Sequence, residues 1–384
     1  MNIVIYTNIL TPYRRYFYDL LWEEYRRNGD EFHVLLMAET EPNRNWAYKD
    51  LKTGYTKTMR GRTFIHRGIF IHINWGLKAV LRELKPDILV CAGSYLCPGI
   101  WQALKWKKKF HYDILYWSES HLNEQRSYSR FRIWARETLR KTVYKRFDGF
   151  WYAGKLSRQF IEKYSRPDSK MFFVQNLVDD NAYQRAGEIS VEKRNELRNK
   201  LGVGLDRVVF ICPARLSPVK GIDKFVDLMG KCRNKNNTTI LIAGDGELRD
   251  LIENKATICG LDIRLLGVQP QSSIIDLYSM SDIFLLPSIS DPNPLTCIEA
   301  LWAGLPLFIS NHCGNYPEVV VNGVNGYVFN YAKENEAISY LEYIIDNEPW
   351  RKSASEKSKL LAKERYDSKV VVKRIVSEMR EMIK

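Results

Sequence analysis

Residues 287–320 read PSISDPNPLTCIEALWAGLPLFISNHCGNYPEVV. The apolar run 283-IFLL comes directly before them, so a strand leads into the loop that contains Asp291. A helix is predicted to begin at Leu295, after two prolines, and 305-LPLFIS is typical of a second strand. The order strand, loop, helix, strand predicts one unit of a parallel sheet that is covered by helices.

The same alternation continues in both directions from this stretch. Further strand-like runs begin near residues 208, 238 and 263, with helical patterns between them. In the first half, strand-like runs occur at 3–7, 32–37, 88–92 and 114–117. The sequence therefore predicts the α/β class, with parallel sheets that are covered by helices on both faces and bind ligands at the carboxyl ends of the strands.

Length and composition agree with a globular protein of two domains. The chain has 384 residues, of which 45% are hydrophobic and 27% charged, so disorder and a disulfide scaffold are not expected. Seven cysteines are scattered without a CxxC pair, which favours buried thiols in a reducing compartment and argues against a zinc site. Neither a signal peptide nor an apolar segment of about 20 residues is visible, so we expect a cytoplasmic protein.

Two carboxylates flank the predicted helix start. Asp291 precedes it and Glu299 lies on its first or second turn. A helix N-terminus offers unpaired N–H groups and a partial positive charge, which suits a diphosphate. Carboxylates accept hydrogen bonds from hydroxyls, so we expect these two to bind sugar and ribose diols. Taken alone, Asp291 also fits a loop or capping residue, and Glu299 a surface helix residue.

Two cations and a glycine-rich turn follow neighbouring strands. Arg215 and Lys220 lie in one loop after 208-VVFICPA, where they can clamp a diphosphate and neutralise developing charge. By themselves they also fit solvated loop cations. The turn 243-AGDGEL follows the next strand, and its Gly244 permits close approach to the backbone. It is not the GxGxxG dinucleotide-binding fingerprint.

In this order, the elements from about Val208 to Phe329 resemble the retaining glycosyltransferases of GT-B architecture, family 4, also described as glycosyl transferases group 1. No single element is specific, but the ordered set is. Its members are the R-x4-K-G element at Arg215, Lys220 and Gly221, the turn 244-GDGELR, 279-SMSDIFLLPS, the E-x7-E element at Asp291 and Glu299, 314-GNYPEVV and 323-GVNGYVF.

The resemblance implies two Rossmann-like domains that face each other across a cleft. It implies an acceptor-binding domain over residues 1–185, a donor-binding domain over 186–366, and a C-terminal helix over 367–384 that packs back on the first domain. The apolar face of this helix is predicted to carry Val371, Ile375, Met379 and Ile383.

The resemblance also implies a nucleotide-sugar donor that is held by the second domain. Arg215 and Lys220 would contact its diphosphate, and Glu299 its ribose diol. Asp291, where the family usually has Glu, would contact the transferred sugar. The remaining donor-binding positions in this domain are Leu295, Thr296 and Gly244.

The first half matches the family less closely, since its loop 7-TNILTPYRR lacks the family's glycine pair. His121 sits where the family often has a histidine that reaches the donor sugar or the reacting centre, although it also fits a polar loop histidine. Asn176, in 175-QNLVD, resembles the interdomain Asn-Gly-Val-Asp segment of the family, with Leu177 in place of glycine. We therefore count His121 as a catalytic candidate and Asn176 as a donor-binding one.

The implied reaction transfers a hexose-type sugar, with retention, to a glycan or lipid-diphosphate-linked acceptor, as in the assembly of bacterial surface polysaccharide. The leaving nucleoside diphosphate needs charge stabilisation, and the acceptor hydroxyl would lose its proton to the departing phosphate rather than to a side chain. Family members of this type are metal-independent, and the sequence contains no Asp-x-Asp element. We therefore expect neither a metal nor a cofactor.

Positive charge is concentrated in the first half. Residues 1–180 contain 31 Lys and Arg against 19 Asp and Glu, a net charge of +12, whereas the remainder is net +1. The stretches 101-WQALKWKKKFHY and 126–147 mix basic and aromatic residues, which suits an anionic membrane surface. In the second stretch a helix is predicted around Phe131, Trp134 and Leu139. Its basic residues are Arg126, Arg130, Arg132, Arg136, Arg140, Lys141, Lys145 and Arg146.

From this surface we expect peripheral association with the inner face of the cell membrane. A solvated helix face over a buried apolar stripe explains the same pattern. Two other functions remain open. A nucleotide-sugar 2-epimerase has the same architecture, but it needs no lipid surface. A nucleic-acid-binding protein would account for the basic charge, but the sequence has no helix-turn-helix, zinc finger or RNA-recognition signature, so we expect no nucleic-acid partner.

Overall fold

The structure, a computed structural model, describes residues 1–41, 53–66, 69–123 and 130–383. They form two compact units. The first contains the described residues up to Leu122, those from Arg130 to Leu177, and the segment from Ser368 onward. The second extends from Val178 to Asp367.

A parallel sheet forms the centre of the first unit. The strands described in this unit are β1 (Asn2–Thr7), β2 (Glu31–Leu36), β3 (Thr56–Thr58), β4 (Gly61–His66), β5 (Ile69–Asn74), β6 (Ile88–Ala92), β7 (Asp113–Ser118), β8 (Gly149–Tyr152) and β9 (Lys170–Phe173). The sheet has the order β3-β2-β1-β6-β7-β8-β9, and β4 and β5 pair as an antiparallel hairpin.

Helices cover both faces of this sheet. They are α1 (Pro12–Arg27), α2 (Leu77–Leu84), α3 (Pro98–Phe110), α4 (Arg130–Tyr144) and α5 (Lys155–Tyr164). Alternate residues of β1 show why two layers are needed: Ile3 and Ile5 pack into the same core as α1, and Val4 and Tyr6 into the core formed with α2 and α3. A strand that is apolar on both sides is typical of a parallel sheet inside an α/β domain.

The second unit contains a six-stranded parallel sheet with the order β12-β11-β10-β13-β14-β15. Its strands are β10 (Val208–Cys212), β11 (Thr238–Ile242), β12 (Ile263–Leu265), β13 (Ile283–Leu286), β14 (Leu307–Ser310) and β15 (Gly326–Phe329). Its helices are α6 (Asp180–Ala186), α7 (Val191–Lys200), α8 (Ile222–Gly230), α9 (Arg249–Cys259), α10 (Gln271–Met280), α11 (Leu295–Trp302), α12 (Tyr316–Val319), α13 (Glu334–Asp346) and α14 (Glu348–Tyr366). Short 3₁₀ turns occur at Pro218–Lys220 and Lys235–Asn237.

The predicted fold class is confirmed, since both large sheets are parallel and helices alternate with strands. Several details differ from the expectation, and β3, β4, β5 and β8 of the first unit were not predicted. Strand β15 was not predicted, because Gly326–Phe329 is too short to stand out from the turn before it. The division between the units lies after Leu177 rather than after residue 185, because α6 packs against α10 and α11 of the second unit.

The last helix, α15 (Ser368–Met382), belongs to the first unit. Val371, Ile375 and Met379 are buried there, whereas Ile383 follows the helix and is 41% exposed, so its assignment to the apolar face was wrong. Arg374 ties the helix to the sheet by donating hydrogen bonds to the carbonyl of Phe173 (2.8 Å) and to the side chain of Gln175 (2.7 Å).

None of the helices described is long and apolar enough to cross a membrane. All seven cysteines lie within the described residues as unpaired thiols, and only Cys259 is partly exposed. Burial raises the pKa of Cys212 to about 12, as expected for an unreactive core thiol.

Two valines of α15 offer a matched test of its packing. Val372 is 3% exposed and Val370 is 63% exposed. Val372→Ala should lower the free energy of unfolding by about 2 kcal/mol, because it leaves a cavity between α15 and the sheet. Val370→Ala should change it by less than about 0.5 kcal/mol. Urea unfolding monitored by circular dichroism measures both, and equal effects would contradict this packing.

Candidate functional site

The candidate site lies at one edge of the second sheet. Because its strands are parallel, the loops that follow them leave from the same edge. Four such loops carry the predicted donor-binding residues or their supports, and they follow β10, β11, β13 and β14 at residues 213–221, 243–248, 287–294 and 311–315.

Lys220 and Asp291 form the central contact of these loops. The ammonium Nζ of Lys220 lies 2.5 Å from Oδ2 of Asp291, and the two side chains are 24% and 13% exposed. Burial acts to lower the pKa of Lys220, but attraction to Asp291 and their hydrogen bond outweigh it and raise that pKa. Lys220 is therefore a fixed positive charge at the edge of the sheet.

The backbones of the same two loops are also joined. The N–H of Ile289 donates to the carbonyl of Val219 (2.9 Å), and the hydroxyl of Tyr331 lies within hydrogen-bond distance of the carbonyls of Pro287 and Gly221. Gly221 has a φ of +62°, and a Cβ there would collide with the carbonyl of Pro287. Only glycine fits this position, which explains why it follows Lys220.

Arg215 lies in the same loop as Lys220, but its side chain has a different environment. Its side chain is exposed, and it forms neither an ion pair nor a hydrogen bond with any residue in the described ranges. The loop beneath it is supported by Gly244, where a Cβ would collide with the carbonyl of Ala214, and by a hydrogen bond from the N–H of Leu216 to the carbonyl of Asp245 (3.0 Å). Gly244 thus packs against the loop that presents Arg215.

Helix α11 begins next to Asp291, as predicted. Leu295 and Thr296 occupy its first turn, where backbone N–H groups have no acceptor inside the helix. Pro294 precedes them and no side-chain cap is formed. The amide of Asn315 donates to the carbonyl of Pro294 (2.9 Å) and so fixes the start of the helix. The two N–H groups remain available to an anion.

Glu299 lies on the second turn of α11, where two tyrosines surround its carboxylate. The hydroxyl of Tyr278 donates to Oε2 of Glu299 (2.9 Å), and the hydroxyl of Tyr183 interacts with the same carboxylate. Burial raises the pKa of Glu299, and these two hydroxyls oppose the rise. The sequence analysis missed both tyrosines, because they come from α10 and α6 and only packing brings them to α11.

The two remaining candidates lie in the first unit. Asn176 is buried, and both ends of its amide are hydrogen-bonded: Oδ1 accepts from Arg14 (2.9 Å) and Nδ2 donates to Glu119 (2.9 Å). Arg14 also pairs with Glu119 (2.6 Å) and lies over the ring of Trp117. The structure thus places Asn176 in a cluster at the carboxyl edge of the first sheet, with Arg14 and Glu119, which sequence reasoning did not single out.

His121 lies in the loop after β7 and is 2% exposed. Of the predicted site residues, the structure brings Arg215, Lys220, Gly244, Asp291, Leu295, Thr296 and Glu299 to one edge of the second unit. His121 and Asn176 belong to the other unit. Among the described residues, no three His, Cys, Asp or Glu side chains converge on a potential metal site.

Much of the second unit is similar to a known protein family. Residues 193–361 match the family model described as glycosyl transferases group 1. The chain is 26% identical over 205 residues to an uncharacterized glycosyltransferase from Methanocaldococcus jannaschii, covering 50% of this chain and 52% of that protein. It is 31% identical over 159 residues to the Escherichia coli UDP-Gal:α-D-GlcNAc-diphosphoundecaprenol α-1,3-galactosyltransferase, covering 40% and 41%. The chain thus spans about half the length of such relatives.

A similarity over the whole chain appears among solved structures. The crystal structure of HepE from Anabaena in complex with UDP superposes with a TM-score of 0.76, covers 100% of both chains and is 18% identical. At this identity the match establishes the fold alone. The chain has the GT-B fold, with a Rossmann-like parallel sheet in each unit.

The Lys220–Asp291 pair leads to a stability prediction. Asp291→Asn leaves a mostly buried ammonium without its counter-charge, so the free energy of unfolding should fall by about 2–3 kcal/mol. The control is Glu334→Gln, because Lys231 and Glu334 form a pair of similar length (2.7 Å) that is about half exposed. That change should cost less than about 1 kcal/mol. Urea unfolding measures both losses. Similar losses in the two variants would show that the mostly buried Lys220–Asp291 pair does not stabilise the fold more than the exposed pair does.

Proposed function

Because residues 193–361 match the family model described as glycosyl transferases group 1, we propose that the protein transfers a hexose-type sugar from a nucleotide-diphosphate sugar to an acceptor hydroxyl. The observation that carries the proposal is the set of groups at one edge of the second sheet. A fixed cation (Lys220), an exposed cation (Arg215) and the N-terminus of α11 lie together in the loops at this edge. This combination suits a diphosphate next to a sugar.

The reaction then depends on stabilising the leaving group. As the bond between sugar and phosphate breaks, negative charge grows on the nucleoside diphosphate, and Lys220, Arg215 and the N–H groups of α11 are placed to bind it. Asp291 fixes Lys220 and lies where it can accept a hydrogen bond from the sugar. The anomeric configuration is retained, the acceptor proton passes to the departing phosphate, and no metal or other cofactor takes part. His121 and Asn176 stay predicted contributors from the first unit.

We further propose a glycan or lipid-diphosphate-linked acceptor, in the assembly of a bacterial surface polysaccharide. Support comes from relatives whose names state their acceptors: the Escherichia coli relative is named for a GlcNAc-diphosphoundecaprenol substrate. An acceptor of this kind is held in a membrane, and nucleotide sugars are soluble. The enzyme would therefore work at the inner face of the cell membrane.

Helix α4 provides the surface for this association. Phe131 and Trp134 are 73% and 62% exposed at its amino-terminal end, and Arg130 and Arg132 beside them are exposed too. Rings at headgroup depth and guanidinium groups near lipid phosphate would bind an anionic bilayer. Arg126 of the predicted basic set lies outside the described residues. Arg140 does not contribute to this surface, because it packs over the rings of Phe160 and Tyr164.

Donor binding is the first test of the proposed function. We expect one of the UDP, GDP and ADP sugars to raise the melting temperature, and release of its nucleoside diphosphate to require Arg215 and Lys220. Arg215→Ala and Lys220→Ala should each lower turnover by about 100-fold or more. Lys231→Ala, at an exposed pair of the same unit, should leave turnover unchanged. Full activity of the two site variants would overturn the proposed function. Conversion of the donor to its 2-epimer in the absence of an acceptor would instead indicate an epimerase.

Vesicle flotation tests the membrane surface. The protein should float with vesicles of phosphatidylglycerol and phosphatidylcholine at low salt, and less at high salt. Arg130→Gln combined with Arg132→Gln should weaken binding by about tenfold, as should Phe131→Ser combined with Trp134→Ser. Ile258→Ser serves as the control, because Ile258 is 84% exposed but lies in the second unit. Flotation that persists in both double variants would exclude α4 as the contact.

A further inference from the structure

A cavity of the second unit lies at the edge of the sheet opposite the candidate site. Its volume is about 670 Å³, which is within the range of small-molecule sites. Asp282 and Pro306 line it and directly precede β13 and β14, so the cavity is at the amino edge of the parallel strands. Strand β10, which also begins there, has five residues and spans about 16 Å. The cavity is therefore separate from the loops that contain Lys220 and Asp291.

Three guanidinium groups converge on this cavity. Arg194 and Arg198 come from α7, and Arg351 comes from α14. Burial lowers the pKa of Arg194, and repulsion from Arg198 and Arg351 lowers it further, while the carboxylate of Asp282 opposes the change. Burial also lowers the pKa of Arg351, with repulsion from Arg198 acting in the same direction. The three cations are thus close enough to repel one another.

Part of this cluster supports the fold. Oδ1 of Asp282 lies 2.5 Å from Arg194, and its Oδ2 lies 2.7 Å from Arg198 and accepts from the N–H of Val209 (2.7 Å). Arg198 also donates to the carbonyl of Met280 (3.0 Å), and its side chain is only 5% exposed. These contacts join α7 to the starts of β10 and β13. They account for Arg198 and Asp282 without any ligand.

The same contacts leave hydrogen-bond donors of the other two guanidinium groups unused. A guanidinium has five N–H donors. Arg194 donates through one terminal nitrogen, to Asp282 and to the carbonyl of Ser281 (3.0 Å). Arg351 also donates through one terminal nitrogen, to two carbonyls in the last turn of α13 (2.7 and 2.6 Å). In the part of the chain that the structure covers, the other terminal nitrogen and Nε of each have no acceptor.

Arg351 also lacks a carboxylate of its own. It forms no ion pair with the residues that are described, and Glu348, one turn earlier on α14, pairs with Lys352 (2.7 Å). Arg194 has to share Asp282, and its side chain is 33% exposed. Unused donors on two positively charged forks suit the oxygens of a phosphate group, which they can bind by charge-assisted pairs of hydrogen bonds.

The remaining wall of the cavity is partly apolar, with Ile189, Leu305 and Pro306 among its residues. We propose that this cavity is a second ligand site, in which Arg194 and Arg351 bind the phosphate group of a small molecule. The apolar wall and the volume leave room for an organic part beside that group. The proposal goes beyond sugar transfer and does not depend on it, because neither Arg215 nor Lys220 lines the cavity.

Calorimetric titration of the full chain with inorganic phosphate, pyrophosphate and glycerol 3-phosphate tests the site. We expect at least one of them to bind, and Arg194→Gln and Arg351→Gln each to weaken its binding by about tenfold or more. Potassium chloride at matched ionic strength should give no binding signal. Tighter binding of glycerol 3-phosphate would support the proposal with an ester as ligand, and tighter binding of the inorganic anions would support it with a free anion.

Two control variants distinguish this cavity from other basic surfaces. Arg215→Ala removes the exposed cation of the candidate site, and Arg233→Gln removes a 79% exposed cation of the same unit that pairs with Glu342 (2.8 Å). The binding step that requires Arg194 and Arg351 should change by less than about twofold in either control. Failure of all three anions to bind, unchanged binding in Arg194→Gln combined with Arg351→Gln, or a loss confined to Arg215→Ala would overturn the proposal.

Anomalous scattering from crystals of the wild type locates the anion without relying on the folding of any variant. Selenate is a tetrahedral dianion like phosphate. We expect a selenium peak in the cavity, with selenate oxygens at hydrogen-bond distance from Arg194 and Arg351. The absence of a peak there, or a peak only beside Arg215 and Lys220, would overturn the proposal.

Discussion

The ion pair between Lys220 and Asp291 is the constraint on which the candidate site depends. It joins the loop after β10 to the loop after β13 across the edge of the sheet. Neither charge is well solvated, so each is stable only in the presence of the other. The backbone hydrogen bond between Ile289 and Val219 holds the loops at the distance that the pair requires. A cation is thereby kept at the edge of the sheet before any ligand arrives, and an anion that binds there meets charge that is already oriented.

The other groups of the site differ in how firmly they are held, and this difference fits the parts of a nucleotide sugar. Lys220 and the start of α11 are fixed by neighbouring loops, whereas Arg215 extends from its loop without a partner in the described ranges. A fixed cation with open N–H groups suits the bridging diphosphate, whose position has to be constant. A long exposed side chain can follow charge as it moves to the leaving group. Glu299, whose partners among the described residues are neutral tyrosine hydroxyls, suits a part of the ligand without charge.

Sequence patterns were sufficient for the elements of the second unit from β10 to β14 but not for their contacts. Strand and helix positions from β10 to β14 follow from local periodicity, and the place of Asp291 before α11 follows from the strand-loop-helix order. The contact of Tyr183 with Glu299 could not be predicted in this way. It lies on α6, which the sequence analysis assigned to the first domain, and it reaches Glu299 only because α6 packs on α10 and α11. A single sequence contains no signal for that packing, since short helices of similar polarity can cover either domain. For the same reason, the sequence indicated Asn176 as a candidate but not its contacts with Arg14 and Glu119.

In the structure, some of the basic residues of the first half are unavailable to an anionic partner. Some of the cations of this half are held inside the unit: Arg14 is paired with Glu119, Lys107 with Asp148, and Arg140 is packed among aromatic rings. These cations stabilise the first unit and are not available to a partner. The number of cations along the chain therefore overstates the basic surface that an anionic membrane would meet. At the amino-terminal part of α4, Arg130 and Arg132 are exposed beside the exposed rings of Phe131 and Trp134. Exposure of these apolar rings to water is unfavourable. An interface that buries the rings and binds the guanidinium groups offsets this unfavourable hydration.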